Sequence, residues 1–539
     1  MPPISPLSCQ PVVNAICSGQ FFRGSTFAIL IFLTAAVPPP PGAVLAATTG
    51  RPNILFIFTD DQTHDAVHAF GGEEIQTPNM DRLARQGLTF THAYNMGAWH
   101  GAVCVASRTM LNTGRTLWRA KAEEPKLEQD AERGLFWSQR LQQAGYKTYF
   151  TGKWHVKVDV RHVFDRGRVH HVRPGMPKQT NAGYHRPPEN GPDPWKPWDK
   201  SRGGYWQGGR HWSEIAADDA LEYLREAATD QAPFFMYLAF NAPHDPRQSP
   251  REFVDRYPLA SIGIPASFLP EYPFAAAMGC GRDLRDERLA PFPRTPHAIQ
   301  VHRREYYAIV THLDQQIGRV LEALEQSGRA KNTVIVFTSD HGLAIGRHGL
   351  LGKQNMFDHS VRMPLILSGP GVPAGRRLSV PVYMQDVMPT TLELAGLRPT
   401  AEIEFHSLLP LIRKSAADGQ PALHGSKAPT NDTQAPRNAQ QNPQNVPRDQ
   451  TRPPYPAIYG AYRDLQRMVT VGDDKLILYP SIRKKLLFNL RGDPEEIHDL
   501  AGQPGQQPTL RRLFAELLQL QQTMADPLDL VSVYPELGE

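Results

Sequence analysis

Four times in this sequence a short, β-rich apolar run stops abruptly at a cluster of polar and ionisable residues. Residues 53–59 (NILFIFT) run into Asp60-Asp61-Gln62, and residues 147–151 (KTYFT) into Gly152-Lys153-Trp154-His155. Residues 234–240 (FFMYLAF) run into Asn241-Ala242-Pro243-His244, and residues 333–338 (TVIVFT) into Ser339-Asp340-His341-Gly342. The runs are near-continuously apolar instead of alternating, which suits strands covered on both faces of a mostly parallel sheet. Helical patterns lie between them. Thr77-Pro78 opens a short helix through Met80, Leu83 and Ala84 that stops at Gly87. Residues 302–326 carry Tyr306, Val310, Leu313, Ile317, Val320, Leu321 and Leu324 along one helical face. Alternating strand and helix set the fold class as α/β, a mostly parallel central sheet flanked by helices. Ligands of such sheets bind beyond the carboxyl ends of the strands, and all four polar clusters fall there.

The rest of the chain divides by composition. A chain of 539 residues has room for three or four domains at roughly 150 residues each. Residues 51–400 hold all four strand-end clusters and are expected to form the main domain. At residues 413–456 Pro, Gln, Asn, Thr and Arg dominate, too little apolar surface for a packed structure, so a disordered insertion is expected. Residues 457–539 resume order as a smaller C-terminal α+β subdomain, with strands at 475–479 (KLILY) and 485–489 (KLLFN) and an amphipathic helix at 509–524. At the other end, residues 26–37 (TFAILIFLTAAV) are apolar over the length of an export signal but are too short to span a bilayer. Pro38 to Pro41 break that run, and Val44-Leu45-Ala46 suits cleavage, so residues 1–46 read as a signal peptide of a secreted or periplasmic protein. No later stretch is a membrane span. The formal net charge of +4 excludes a chain that lives on nucleic acid, and four cysteines exclude a disulfide scaffold.

Cys104-Val105-Ala106-Ser107-Arg108 followed by Leu111-Asn112-Thr113-Gly114-Arg115 resembles the signature of the formylglycine-dependent sulfatases, members of the alkaline phosphatase superfamily. Ala106 stands where that signature has proline. Asp60-Asp61, Gly152-Lys153-Trp154-His155, Pro243-His244, Ser339-Asp340-His341-Gly342 and Gly349-Leu350-Leu351-Gly352-Lys353 all follow the family's order, and residues 487–500 (LFNLRGDPEEIHDL) resemble its C-terminal segment. Asp-His at 340–341 is similar to iduronate-sulfatase-like members, and choline-sulfatase-like bacterial members are also similar.

The resemblance implies sulfuric ester hydrolysis. Cys104 is expected to be oxidised to formylglycine by a separate formylglycine-generating enzyme. One hydroxyl of the hydrated aldehyde then attacks sulfur, and deprotonation of the other expels sulfate. Asp60, Asp61, Asp340 and His341, with position 104, are the implied ligands of one divalent ion. Their hard oxygens point to calcium rather than zinc. Arg108 and Lys153 would hold the nucleophile, His155 would be the base of the second step, and His244 and Lys353 would grip the sulfate and protonate the leaving alcohol. The alternatives are a choline-sulfate or aryl sulfatase and, within the superfamily, a phosphomonoester or phosphonate hydrolase. A two-zinc phosphatase site, however, would want a Ser or Thr nucleophile and more His ligands.

For substrate, a sulfated carbohydrate is expected over a small sulfated molecule such as choline sulfate. Trp195, Trp198, Tyr205, Trp206 and Trp212 either stack on sugar rings or pack a long loop, Arg202, Arg210 and His211 are candidates to pair with further anionic groups, and Arg247 would suit an anionic sugar. Trp99-His100 and His348 either touch substrate or belong to core and surface. Asp358 and Arg362 are expected to brace the fold, and Cys280 to remain a free thiol.

Overall fold

The computed structural model describes residues 50–169, 180–418 and 453–538; the signal segment and residues 419–452 of the expected insertion lie outside them. Strands are β1 (Asn53–Asp60), β2 (Gly87–Tyr94), β3 (Gly97–Ala98), β4 (Lys147–Gly152), β5 (Arg166–Val169), β6 (Phe234–Pro243), β7 (Thr333–Ser339), β8 (Arg362–Ser368), β9 (Arg376–Leu378), β10 (Val382–Tyr383), β11 (Ile458–Tyr462), β12 (Gln466–Val471), β13 (Asp474–Tyr479) and β14 (Lys484–Asn489). The helices needed below are α1 (Pro78–Gln86), α2 (Val103–Thr113), α3 (Trp212–Thr229), α4 (Pro296–Gln326), α5 (Leu409–Ala417) and α6 (Gln507–Met524).

The larger sheet has nine strands in the order β10-β2-β8-β7-β1-β6-β4-β5, with β9 beside β2. Every neighbouring pair is parallel except the two that β8 makes with β7 and β2. Both faces of β1 are covered: Ile54, Phe56 and Phe58 pack toward Leu111 of α2 and Trp137, while Leu55 and Ile57 pack with residues of α1, α3 and α4. This is why the four runs read as continuous rather than alternating apolar sequence.

Three features depart from the sequence reading. Strands β2 and β8 were not foreseen. Helix α4 begins at Pro296 rather than His302, because Thr295 Oγ1 accepts from the Ala298 N–H at 3.1 Å and Pro296 follows as the first helical residue. Described structure reaches into both ends of the expected insertion. Arg413 continues α5, whose Leu411, Ile412 and Ser415 are buried, and Tyr455 is buried where the described chain resumes.

A second sheet runs β14-β13-β12-β11-β3. Its first four strands are antiparallel neighbours from the end of the chain, covered by Leu510, Leu513, Phe514 and Leu517 of α6. The fifth, β3, comes from the stretch leading into α2 and pairs in parallel with β11, Gly97 opposite Ala461. Gly97 has φ +94°, and a Cβ there would overlap the Ala461 carbonyl oxygen, so only glycine fits both the turn and the close approach. Lys475 of β13 is buried and lies 2.7 Å from Asp358 Oδ1 and 2.7 Å from Glu496 Oε1. Removing one partner of such a group leaves buried charge unpaired. Lys475→Met should therefore lower the unfolding free energy by about 3–5 kcal/mol, read as a shift in the urea midpoint.

Candidate active site

Register brings the polar clusters together. Strands β7, β1, β6 and β4 are consecutive in the sheet, so the residues just beyond their carboxyl ends line up as Asp340 and His341, Asp60 and Asp61, His244, and Lys153. Asp60 pairs across to Pro243, and Thr59 to Ser339. Two local turns finish the alignment. Asp61 sits at φ +68° with its N–H donating to Asp340 Oδ1 at 3.1 Å. Gly152 sits at φ +104°, where a Cβ would overlap the Ala239 carbonyl oxygen; that close approach lets the Lys153 N–H donate to the same oxygen at 2.8 Å. Cys104 lies in the first turn of α2 and Arg108 four residues on, one turn along the same face. Lys353 comes from the loop after β7.

The side chains close on one another. The Cys104 S–H donates to Asp60 Oδ1 at 3.3 Å, and its Sγ lies 3.3 Å from His341 Nε2. Lys153 Nζ pairs with Asp60 Oδ2. Arg108 Nε donates to Asp340 Oδ2 at 3.2 Å and Nη1 to the Lys153 carbonyl oxygen at 2.7 Å. Lys353 Nζ donates to both oxygens of Asp61, at 2.8 and 2.6 Å. His244 Nε2 is 3.6 Å from Asp61 Oδ2, and its Nδ1 lies 2.8 Å from the Asp245 carbonyl oxygen. Asp60, Asp61, Cys104, Arg108, Lys153, His244, Asp340, His341 and Lys353 are all buried.

Burial and neighbouring charge set the protonation states. Burial pushes Asp60 up, but Lys153 and Arg108 more than offset it and hold the carboxyl well below its ordinary range. For Asp61 burial prevails, opposed by Lys353 and reinforced by Asp60 and Asp340, so its carboxyl is pushed up. Burial, helped by the Asp60 charge, drives the Cys104 thiol well above its ordinary value. Burial and Lys353 keep His244 well below the usual imidazole range. His155 is pushed down to about 2 by burial and by Lys153 and Arg108. It stands beside the cluster, half-buried, with Nδ1 lacking any hydrogen-bond partner.

Several expected substrate contacts fall elsewhere. Arg247 is buried, with Nη1 against His302 Nδ1 at 2.9 Å. Trp195, Tyr205, Trp206 and Trp212 are buried too, His211 stacks on Tyr205, and Arg210 and Arg202 pair with Asp218 and Asp199. These four aromatics pack the loop, while Trp198 is part-buried with Arg251 over its ring. His348 stacks on Phe357 and bonds the Glu496 carbonyl oxygen through Nε2 at 3.0 Å, so it is a core residue. Trp99 is core, and His100 lies 3.9 Å from Glu124. Asp358 and Arg362 brace one another at 3.6 Å, and the Cys280 thiol donates to the Gln354 carbonyl oxygen at 3.0 Å. Arg285 was missed: its Nη2 lies 3.3 Å from His244 Nε2. No motif surrounds it in sequence, and only its place in the loop between β6 and α4 hinted at a role.

Asp60, Asp61, Cys104, Asp340 and His341 each offer a ligand atom, all within 4.8 Å of one another. Besides the Cys104 sulfur the donors are three carboxylates and one imidazole, a set that suits a hard divalent cation. His341 Nδ1 lies 2.9 Å from the Gly342 carbonyl oxygen. That bond fixes the tautomer and turns the Nε2 lone pair toward the carboxylates, as a ligand requires.

The protein-family model described as Sulfatase matches residues 52–397. A sulfatase of Formosa agariphila is 31% identical over 391 residues, covering 68% of this chain and 73% of its own. An N-acetylglucosamine-6-O-sulfatase of Bacteroides thetaiotaomicron is 28% identical over 440 residues, covering 70% of this chain and 74% of its own. A solved complex with D-glucosamine-2-N,6-O-disulfate, described as that protein's substrate, shares the fold at TM-score 0.62 and 24% identity, covering 89% of this chain and 99% of the other. If the five donors act as one metal site, Asp61→Asn and Asp340→Asn should each weaken divalent-cation binding at least about 100-fold by titration calorimetry, beyond the loss typical of outer partners.

Proposed function

Because this chain belongs to the sulfatase family and is therefore a hydrolase of sulfuric ester bonds, we propose that it is an exported enzyme that cleaves sulfated carbohydrates through a formylglycine at position 104 and one bound calcium ion. The observation that carries the reading is the state of Cys104. Its sulfur lies against Asp60 and His341 at the start of α2, and its thiol is driven away from ionisation. An un-ionised thiol is a poor nucleophile, so the position suits an oxygen nucleophile made from the cysteine. Oxidised by a formylglycine-generating enzyme and hydrated, position 104 supplies one hydroxyl to attack sulfur and a second whose deprotonation releases sulfate. Asp60, Asp61, Asp340 and His341 would hold the calcium ion, which would supply positive charge for the sulfate oxygens.

The surrounding residues have separable tasks. Lys153 and Arg108 keep Asp60 ionised, and the bond from Arg108 Nε aims the Asp340 carboxylate into the site. Lys353 adds a fixed positive charge where negative charge is carried by the sulfate. His244 donates its Nδ1–H to the Asp245 carbonyl oxygen, which leaves Nε2 facing the site. The negative charge of a bound sulfate favours the protonated ring, so with substrate in place Nε2 can carry the proton that the leaving oxygen takes. His155 stays unprotonated near neutral pH and is free to accept the proton of the second hydroxyl.

The carbohydrate reading draws on the N-acetylglucosamine-6-O-sulfatase among the relatives. Export draws on the apolar run at residues 26–37. Among the described residues no helix is long and apolar enough to cross a membrane.

Two measurements test the mechanism. Mass spectrometry of the peptide around Cys104, from protein co-produced with the maturation enzyme, should show aldehyde in place of thiol. Cys104→Ala should abolish turnover with little change in the thermal midpoint, and unmodified cysteine in fully active protein would sink the formylglycine reading. His244→Ala should cut kcat about 10²–10⁴-fold on sugar sulfates, as loss of a general acid does. On 4-nitrophenyl sulfate, whose leaving group needs little protonation, the loss should be much smaller; equal losses would remove His244 from the acid role.

A further inference from the structure

Arg285 reaches the active site from outside the strand-end clusters. Its Nη2 is 3.3 Å from His244 Nε2, the ring nitrogen turned inward by the bond between Nδ1 and the Asp245 carbonyl oxygen. The Asp245 carboxylate takes two of its donors, Nη1 at 2.7 Å and Nη2 at 3.1 Å, and Asp286 Oδ1 lies 2.5 Å from Nη2. This bidentate fork holds the guanidinium in one pose. Asp286 is itself shared with Lys353 at 3.9 Å and with Gln354 at 2.9 Å, so it does not neutralise the arginine alone.

What sets Arg285 apart is exposure. The side chains of Arg108 and Lys153 are 0% exposed and that of Lys353 is 3% exposed, whereas Arg285 keeps 40% of its side chain open. Its Nε–H and one Nη1–H have no acceptor among the described residues. A rigid guanidinium with two unused donors, touching the histidine that faces the leaving oxygen, is within reach of substituents beside that oxygen.

We propose that Arg285 binds a second anionic group on the leaving alcohol and so makes this enzyme selective for sugars that carry another negative charge near the scissile sulfate. The inference rests on the sulfated-carbohydrate reading above and adds to it the charge of the substrate. The shared chemistry is an oxyanion with two or three acceptor oxygens, met either as a further sulfate or as a carboxylate. It reassigns to Arg285 the role that the sequence suggested for Arg247, which is walled in.

The test compares matched substrates on the matured enzyme. For a second sulfate the pair is N-acetylglucosamine-6-O-sulfate and D-glucosamine-2-N,6-O-disulfate; for a carboxylate it is glucose-3-O-sulfate and glucuronic acid-3-O-sulfate. In at least one pair the more charged member should have the higher kcat/KM by about 10–100-fold, the range of a charge-assisted hydrogen bond. Arg285→Gln should erase that preference and Arg285→Lys should restore part of it. The pair that shows the preference identifies the anion. A preference that survives Arg285→Gln, or its absence from the wild type in both pairs, overturns the proposal. So does an equal fall on both members of a pair, which would make Arg285 a positioning residue for His244. Turnover of 4-nitrophenyl sulfate but of none of the four sugars overturns the carbohydrate reading and this inference with it, while a mature enzyme that cleaves no sulfate ester at all overturns the proposed mechanism.

Discussion

Three carboxylates, Asp60, Asp61 and Asp340, are buried side by side at the ends of neighbouring strands, and the architecture around them follows from the need to compensate that charge. Taking an ion out of water costs several kcal/mol even after relaxation, so each carboxylate has its own cationic partner. The partners come from separate places: Lys153 from the end of β4, Arg108 from the second turn of α2, and Lys353 from the loop after β7. Each cation therefore pins the element that carries it. The left-handed turn at Gly152, the approach of α2 to the sheet and the path of the loop after β7 are all consequences of the same charge balance. Displacing any one of them would leave a carboxylate unpaired in the interior.

Helix α2, which carries Cys104, is held from a second direction by the C-terminal sheet. The chain leaves β2, passes Asn95, whose Nδ2 donates to the Asp340 carbonyl oxygen at 2.7 Å, and pairs as β3 with β11 before entering α2. Ser107 Oγ in α2 donates to the same Asp340 oxygen at 2.8 Å. Beyond α2, Trp118 Nε1 donates to Tyr459 Oη at 2.7 Å, and Tyr459 in turn bonds Asp526, the partner of Arg467. The stretches before and after Cys104 are thus fastened to strands from the far end of the chain. Although the described residues of the C-terminal region bring no side chain to the site, they fix where α2 begins.

The strand-end residues were legible because two constraints coincide there. Near-continuous apolar runs mark strands buried on both faces, and polar residues immediately after them have little to do except line the carboxyl edge. Asp60, Lys153, His244 and Asp340 satisfy both. β2 (GLTFTHAY) was not legible because Thr89, Thr91 and His92 interrupt its apolar pattern, and nothing in its sequence encodes its antiparallel pairing with β8. The start of α4 was legible in principle, since Thr295-Pro296 repeats the signal read at Thr77-Pro78. The aromatic loop stayed open between two readings for a physical reason: tryptophan and tyrosine serve packing and ligand stacking equally well, and only burial separates the uses. Trp195, Tyr205, Trp206 and Trp212 prove to be core. Arg247 and Arg285 show the same limit for charge, because one faces inward to His302 and the other to the site, with nothing in the local sequence to tell them apart.

That contrast also bears on how an enzyme of this kind separates its substrates. Groups buried around the sulfate meet an identical SO₃ unit on every ester, so whatever they contribute is common to all substrates and sets rate rather than choice. In the proposed mechanism Lys153, Lys353 and Arg108 are in this position, and their burial makes their field strong but indifferent to the alcohol. Discrimination has to come from a group that the leaving alcohol itself meets, and that group must be held rigidly enough for a mismatch to cost something. Flexible surface lysines fail the second condition. A guanidinium clamped by two carboxylates and open on its remaining edge meets both, because its pose is set before substrate arrives and its unused donors are satisfied only by the right neighbour. The same Asp245 whose carbonyl oxygen orients the His244 ring also clamps that guanidinium through its carboxylate, so the proposed proton donor and the proposed reader of the alcohol are positioned together by one residue.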